Sequence, residues 1–327
     1  MNSKPDNPKK ILVIKNDHIG DLIFHSGIFR ELKKAYPQAK ITAIASKVNK
    51  PLIEKNKNID KILIVPFGKR FFKEFYKYPF ILKKIRKEKF DMGLDLREHL
   101  INTFFLLYLG NVKYKLGFYK GFFSKLLLNY SEVKEITKNE GENMLNLLNN
   151  GLGLNATNKW PEIIVTDDDI KEADDFIKKN KLKKFICIVP DSTTPVRQWP
   201  LEEFDKVIKS LKKDYPKYQI VLSGVDELKM NWLIERNPEL IKLGKVNIRM
   251  IYPLFQKSAL IISLDTGTAH IAWAGKSKLI VLLLKASVPE RKNVEALGKN
   301  SRTILEGDKK IKAEEVMRVV KSVLKKK

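Results

Sequence analysis

Two carboxylates, one imidazole and one glycine fall within six residues, Asn16-Asp17-His18-Ile19-Gly20-Asp21. A strand-to-helix loop in an α/β protein is where ligands bind, and this one lacks the three glycines of a dinucleotide fingerprint. In the second half, Ser192, Thr193, Thr194 and Arg197 lie within "PDSTTPVRQWP" (190–200), and Asp265, Thr266, Gly267, Thr268 and His270 lie within "SLDTGTAHIAWAG" (263–275). Hydroxyls, a fixed guanidinium and a helix start are what an anionic diphosphate needs. Each stretch also has a plainer reading: a capped helix with an incidental histidine, or a proline-rich loop with a surface arginine. Asp226, after the Ser-Gly at 223–224, is placed to meet ribose hydroxyls, and equally to cap a helix. Arg97 follows "FDMGLDL" (90–96), and a surface arginine is its plain reading.

These residues need a scaffold that brings loops to one edge. Short β-branched runs alternate with helical patterns, which implies βα units and parallel sheets. The first half offers strands at 11–15, 40–46, 61–67, 90–96 and 114–118, and a closing helix at 141–154. The second offers strands at 184–191, 219–224, 260–265, 278–284 and 302–307, a helix over 200–216 and a final amphipathic one ending in lysines. The polar stretch 155–165 reads as a linker, giving domains 1–158 and 159–327. A crevice between two such α/β halves is a natural substrate site. Thr268 is expected to cap the helix that carries His270.

Composition narrows the classes. The chain has 327 residues, 43% of them hydrophobic, enough for two cores. It carries 63 basic against 38 acidic residues, a formal charge of +25. Residues 1–160 hold 30 basic and 15 acidic side chains, which favours an anionic partner there. A lysine-rich solvated surface is the bland alternative. One cysteine, Cys187, excludes an internal disulfide framework. The start lacks the apolar core of a signal peptide, and no apolar run reaches the roughly 20 residues of a membrane span. A cytoplasmic protein is expected, with peripheral contact at the inner membrane as an option. The stretch 66–90 interleaves Phe and Tyr with Lys and Arg, including Lys69, Arg70, Phe71 and Phe72. It reads either as a helix packing aromatics on a sheet or as an interfacial surface. His18, His25, His99 and His270 lack metal spacing, so neither a metal nor a cofactor is expected.

Three blocks, "ILVIKNDHIGDLIFHSGIFRELKKAYPQAKI", "VPDSTTPVRQWPLEEF" and "SALIISLDTGTAHIAWAG", resemble in order and separation the family 9 glycosyltransferases, the bacterial heptosyltransferases of lipopolysaccharide core assembly. The middle block differs: where the family usually has His-Pro-Gly or His-Ala, this chain has Pro190-Asp191-Ser192. The resemblance implies an α/β GT-B fold, two Rossmann-like domains with parallel sheets facing across a crevice, acceptor on the first and nucleotide-sugar on the second. It implies that Asp21 is the general base of an inverting displacement, with Gly20 permitting close approach and Asp17, His18 and Arg97 on the acceptor side. Ser192, Thr193, Arg197, Asp226, Asp265, Thr266, Gly267 and His270 would serve the donor, ADP-heptose, and the acceptor would be phosphorylated lipid-linked glycan. Another nucleotide-sugar is the nearest alternative. A dehydrogenase is disfavoured because no G-x-G-x-x-G follows a strand. A nucleic-acid-binding role is disfavoured because the basic residues are dispersed and no such motif is present.

Overall fold

The computed structural model describes residues 3–66, 73–118, 121–135, 138–285 and 299–324. The chain divides into two compact units, Met1–Ile164 and Val165–Lys327. The first unit holds β1 (Lys10–Ile14), β2 (Lys40–Ala45), β3 (Lys61–Ile64), β4 (Met92–Asp95), β5 (Tyr114–Phe118) and β6 (Tyr130–Glu132). The second holds β7 (Phe185–Val189), β8 (Gln219–Leu222), β9 (Ile241–Lys242), β10 (Leu260–Leu264), β11 (Leu279–Leu283) and β12 (Ser301–Leu305).

Every paired strand runs parallel, and the orders are β3-β2-β1-β4-β5-β6 and β12-β11-β10-β7-β8-β9. Counted within its own unit, the second sheet repeats the order of the first. Parallel strands buried on both faces must be apolar throughout rather than alternating. Accordingly Ile11, Leu12, Val13 and Ile14 are fully buried, as are Leu260, Ile261 and Ile262. The strand order reverses between β1 and β4, and between β7 and β10. At such a switch point the flanking loops diverge and leave room for a ligand beyond the strands' carboxyl ends. The Asp17–Asp21 stretch follows β1, Arg97 follows β4, the Ser192–Arg197 loop follows β7, and Asp265 and Thr266 follow β10.

A helix of unusual type connects β4 to β5. Asn102–Tyr108 forms a π-helix, rare in proteins and frequent at functional sites. Gly93 on β4 lets it lie close: a Cβ there would stand 2.6 Å from Leu107. Leu106 and Leu107 are buried beside Tyr78, Ile81 and Ile85 of the Tyr78–Glu88 helix. Of the aromatic-basic stretch 66–90, residues 67–72, including Lys69, Arg70, Phe71 and Phe72, lie outside the described residues. No helix among the described residues is long and apolar enough to cross a membrane.

Candidate active site

In the first unit the site is built around the lysine that directly follows β1. Lys15 is buried, its backbone N–H continues the ladder to Ile44 O, and its ammonium donates to Leu96 O at 3.0 Å. That bond ties the loop after β1 to the loop after β4. The same ammonium lies 2.8 Å from Asp17 Oδ2. Burial alone would lower the lysine's pKa; Asp17, Asp21 and Glu140 outweigh it and hold it above the ordinary value. Asp17 is itself buried, and its backbone carbonyl accepts from Ser46 Oγ and Asn49 Nδ2. Asn16, fully buried, accepts at 2.9 Å from Asn102 at the start of the π-helix, a second tie across the switch point.

The next residues enter a helix, Ile19–His25. His18 is its exposed N-cap residue, with extended backbone and no side-chain cap bond. Gly20 is buried. Asp21 stands in the first turn, half-buried. Among the described residues no side chain hydrogen-bonds or ion-pairs with its carboxylate, although Lys15 attracts it electrostatically. Its backbone carbonyl lies 3.0 Å from His25 Nδ1, and His25 Nε2 lies 3.3 Å from Glu140. Burial, then Lys15, lowers the His25 pKa. Burial would raise that of Glu140, but His25 and Lys134, the latter at 2.6 Å, drive it far below the carboxylate range. Lys134 also pairs with Glu98, which stands after Arg97 in the left-handed region at φ 59°. Asp95, ending β4, accepts from the Arg97 N–H at 3.0 Å and from Thr103 Oγ1 at 2.8 Å. Burial nevertheless pushes its pKa up to about 6, against those donors, Lys15 and Arg97.

In the second unit, Arg197 sits in a 3₁₀ turn, Pro195–Arg197. Its guanidinium lies 3.7 Å from Asp265 Oδ2, and Asp265 Oδ1 lies 3.7 Å from His270 Nε2. The two loops at this switch point therefore meet through charge, with Asp265 and His270 both buried. Ser192 Oγ accepts from the Thr194 N–H at 3.2 Å, the Ser192 carbonyl accepts from Gln198, and Thr193 is exposed. Trp199 anchors the loop's far end: it is buried, donates to Ile311 O at 3.0 Å and meets Phe204 edge to face.

The helix Gly267–Ala274 begins two residues earlier than a cap at Thr268 would allow. Thr266, not Thr268, is the N-cap residue, because the chain is still extended at Thr266 and helical from Gly267 onward. The two threonine hydroxyls bond each other at 2.7 Å. Asp226 is the N-cap of Glu227–Arg236: Oδ1 accepts from the Lys229 N–H and Oδ2 pairs with Lys229 Nζ. Asp191 is buried and accepts from the Val225 and Asp226 N–H groups at 2.7 and 2.8 Å, fixing the loop after β8. Sequence reasoning missed three organisers: Lys15, Asp95 and Asp191. Lys15 carried a signal, a lone cation closing an apolar strand and followed at once by Asp17. Asp191 stood out as a departure from the family pattern. Among the described residues no cluster of three or more His, Cys, Asp or Glu could hold a metal ion.

Two doubly wound parallel sheets on one chain, each with polar loops at its switch point, define the GT-B class of α/β protein. Residues 80–320 match the family described as Glycosyltransferase family 9 (heptosyltransferase). The chain belongs to that family and is a glycosyltransferase. It is 23% identical over 276 residues to the lipopolysaccharide core heptosyltransferase OpsX of Haemophilus influenzae, spanning 81% of this chain and 76% of the relative. The fold is similar to the crystal structure of a family 9 glycosyl transferase from Veillonella parvula, with a TM-score of 0.81, 18% identity and 98% of each chain covered. It is also similar to E. coli heptosyltransferase WaaC with ADP-2-deoxy-2-fluoro heptose, with a TM-score of 0.74, 15% identity, and 96% of this chain and 99% of that one covered.

Proposed function

We propose that this enzyme transfers a heptosyl group from ADP-heptose to the lipid A–Kdo or inner-core region of lipopolysaccharide, with Asp21 as general base. The observation that carries the assignment is the contrast between two aspartates four residues apart, one in the loop after β1 and one in the first turn of the helix that follows. Asp17 is buried and neutralised by Lys15 at 2.8 Å, so its charge is already engaged. Asp21 is half-exposed, with no hydrogen bond or ion pair to its carboxylate among the described residues. A base must have a lone pair that the substrate can reach.

In this reading the acceptor oxygen attacks the anomeric carbon while its proton passes to Asp21. The bond from that carbon to the diphosphate breaks, and its electron pair leaves on the nucleoside diphosphate. A single displacement of this kind inverts the anomeric centre. Arg197, Ser192, Thr193 and the helix N-terminus at Thr266 and Gly267 stabilise the departing charge. Asp265 and His270 hold Arg197 and the turn beneath it. Asp226 stands after the second strand of its unit, where carboxylates meet ribose in doubly wound sheets. Asp17, His18 and Gly20 shape the acceptor side, and Arg97 meets an acceptor phosphate. The first domain thus serves the acceptor and the second the donor, without a metal ion, at the cytoplasmic face of the inner membrane. Family membership supports the heptosyl group, and the donor analogue bound to the E. coli relative supports ADP as its carrier.

The test is initial-rate kinetics on a lipid-linked inner-core acceptor with ADP-heptose beside UDP- and GDP-sugars. ADP-heptose should be preferred by orders of magnitude in kcat/KM. Turnover with another nucleotide-sugar and none with ADP-heptose would replace this donor by the alternative.

A further inference from the structure

We propose that the outer surface of three consecutive connections in the first unit docks onto an anionic phospholipid bilayer. The connections are the helix Tyr78–Glu88, the π-helix Asn102–Tyr108 and the helix Gly121–Leu127. They join β3 to β4, β4 to β5 and β5 to β6, and right-handed crossovers place all three on one face of the sheet. Their inner sides already build the core through Tyr78, Ile81, Ile85, Leu106 and Leu107. The outer sides carry apolar groups that the fold does not need. Phe80 is 69% exposed, Phe122 71%, Phe123 65% and Leu126 61%; Phe104 and Tyr108 lie exposed between them. Scattered exposed hydrophobics are ordinary, but six on adjoining elements of one face are a surface with an occupant.

Charge selects that occupant. Residues 73–89 carry seven basic side chains and two acidic ones. Glu74 pairs with Lys77, and Glu88 with Lys10 and Lys61, so neither offsets the exposed Lys83, Lys84 and Lys87. Gly121–Leu127 adds Lys125 and no carboxylate. A second copy of this face would be repelled by its own lysines. Aromatic rings flanked by lysines suit the boundary between anionic headgroups and acyl chains, where the rings enter and the ammonium groups stay with phosphate. The proposal deepens the functional reading in one respect, the lipid-linked acceptor. Yet it holds for any sugar moved.

The experiment is co-sedimentation of the full chain with phosphatidylcholine vesicles, with and without phosphatidylglycerol, at low and high salt. The wild type should bind the anionic vesicles roughly tenfold better than the neutral ones. The variant Phe80→Ser/Phe122→Ser/Phe123→Ser should lose roughly tenfold or more of that partition while keeping Tm and nucleotide affinity. The variant Lys83→Gln/Lys84→Gln/Lys87→Gln leaves the rings in place; each lost lysine should lower binding by up to roughly fivefold and flatten the salt dependence. No binding of the wild type to anionic vesicles, or wild-type binding by both variants, would overturn the proposal. So would a concentration-dependent dimer that the serine variant abolishes. An error in the heptosyl reading would show in the donor assay and leave vesicle binding intact.

Discussion

Asp17 and Asp21 are the same residue type four positions apart, and burial gives them different chemistry. Because Lys15 neutralises Asp17 inside the unit, Lys15→Met should strand a buried carboxylate and destabilise the fold by about 3–5 kcal/mol, measured by urea denaturation. The double variant Lys15→Met/Asp17→Leu should recover most of that loss. The sign with pH follows from the raised lysine pKa: its contribution is complete below the ordinary lysine value and is lost as pH rises through the folded one. Asp95 behaves in the opposite sense for a carboxylate. Its pKa rises to about 6 from an ordinary 3.8, so the ionised form weakens the folded state above that range. Asp95→Asn should therefore be more stable than wild type near pH 8, by up to roughly 3 kcal/mol. The gain should shrink through pH 6 and vanish below the ordinary carboxylate value. Equal denaturation midpoints across that range would show that Thr103 and Arg97 hold the carboxylate ionised. In the second unit, Arg197→Ala and Thr266→Ala should each weaken nucleoside diphosphate binding by roughly 1.5–3 kcal/mol in calorimetry. Unchanged affinity in both would move the donor site elsewhere.

At the scale of elements, helix ends hold most of the proposed site, and Asp226 shows how a cap and a ligand contact can be separated. Asp226→Ser keeps a capping oxygen and should leave stability nearly unchanged, while Asp226→Ala should cost about 0.5–2 kcal/mol. If Asp226 also meets ribose, both variants should weaken nucleotide binding alike; normal affinity in the serine variant would restrict Asp226 to capping. Element reading from sequence succeeded where burial leaves a strong pattern. Ten strands stood out as apolar runs, and "YKLGF" matches β5 residue for residue. β6 and β9 did not stand out, being three and two residues long with polar side chains at sheet edges. The π-helix was illegible because "NTFFLLY" has no pattern separating π from α. The cap at Thr266 was misplaced by two residues because Thr266 and Thr268 are chemically equivalent, and the backbone chooses between them. The loop residues of the proposed site were legible as types. What was not legible was which aspartate is engaged, since that depends on Lys15 reaching Leu96, 81 residues away.

At the scale of the whole molecule, each unit carries its own doubly wound sheet and its own polar switch point. The proposed chemistry divides in the same way, with the base on the first unit and the leaving-group contacts on the second. Because the proposed scheme meets the diphosphate with arginine, hydroxyls and a helix N-terminus, it predicts that activity survives EDTA; loss on chelation, restored by Mg²⁺ or Mn²⁺, would overturn the metal-free scheme. The division also means that removing the base should change turnover and leave nucleotide binding alone. The decisive measurement is kcat for Asp21→Asn, beside calorimetric Kd for the nucleoside diphosphate. We predict a fall of ~10²–10⁴ in kcat with Kd and Tm close to wild type. A kcat near the wild-type value, in a folded variant that binds nucleotide normally, would contradict the assignment of Asp21 as the base.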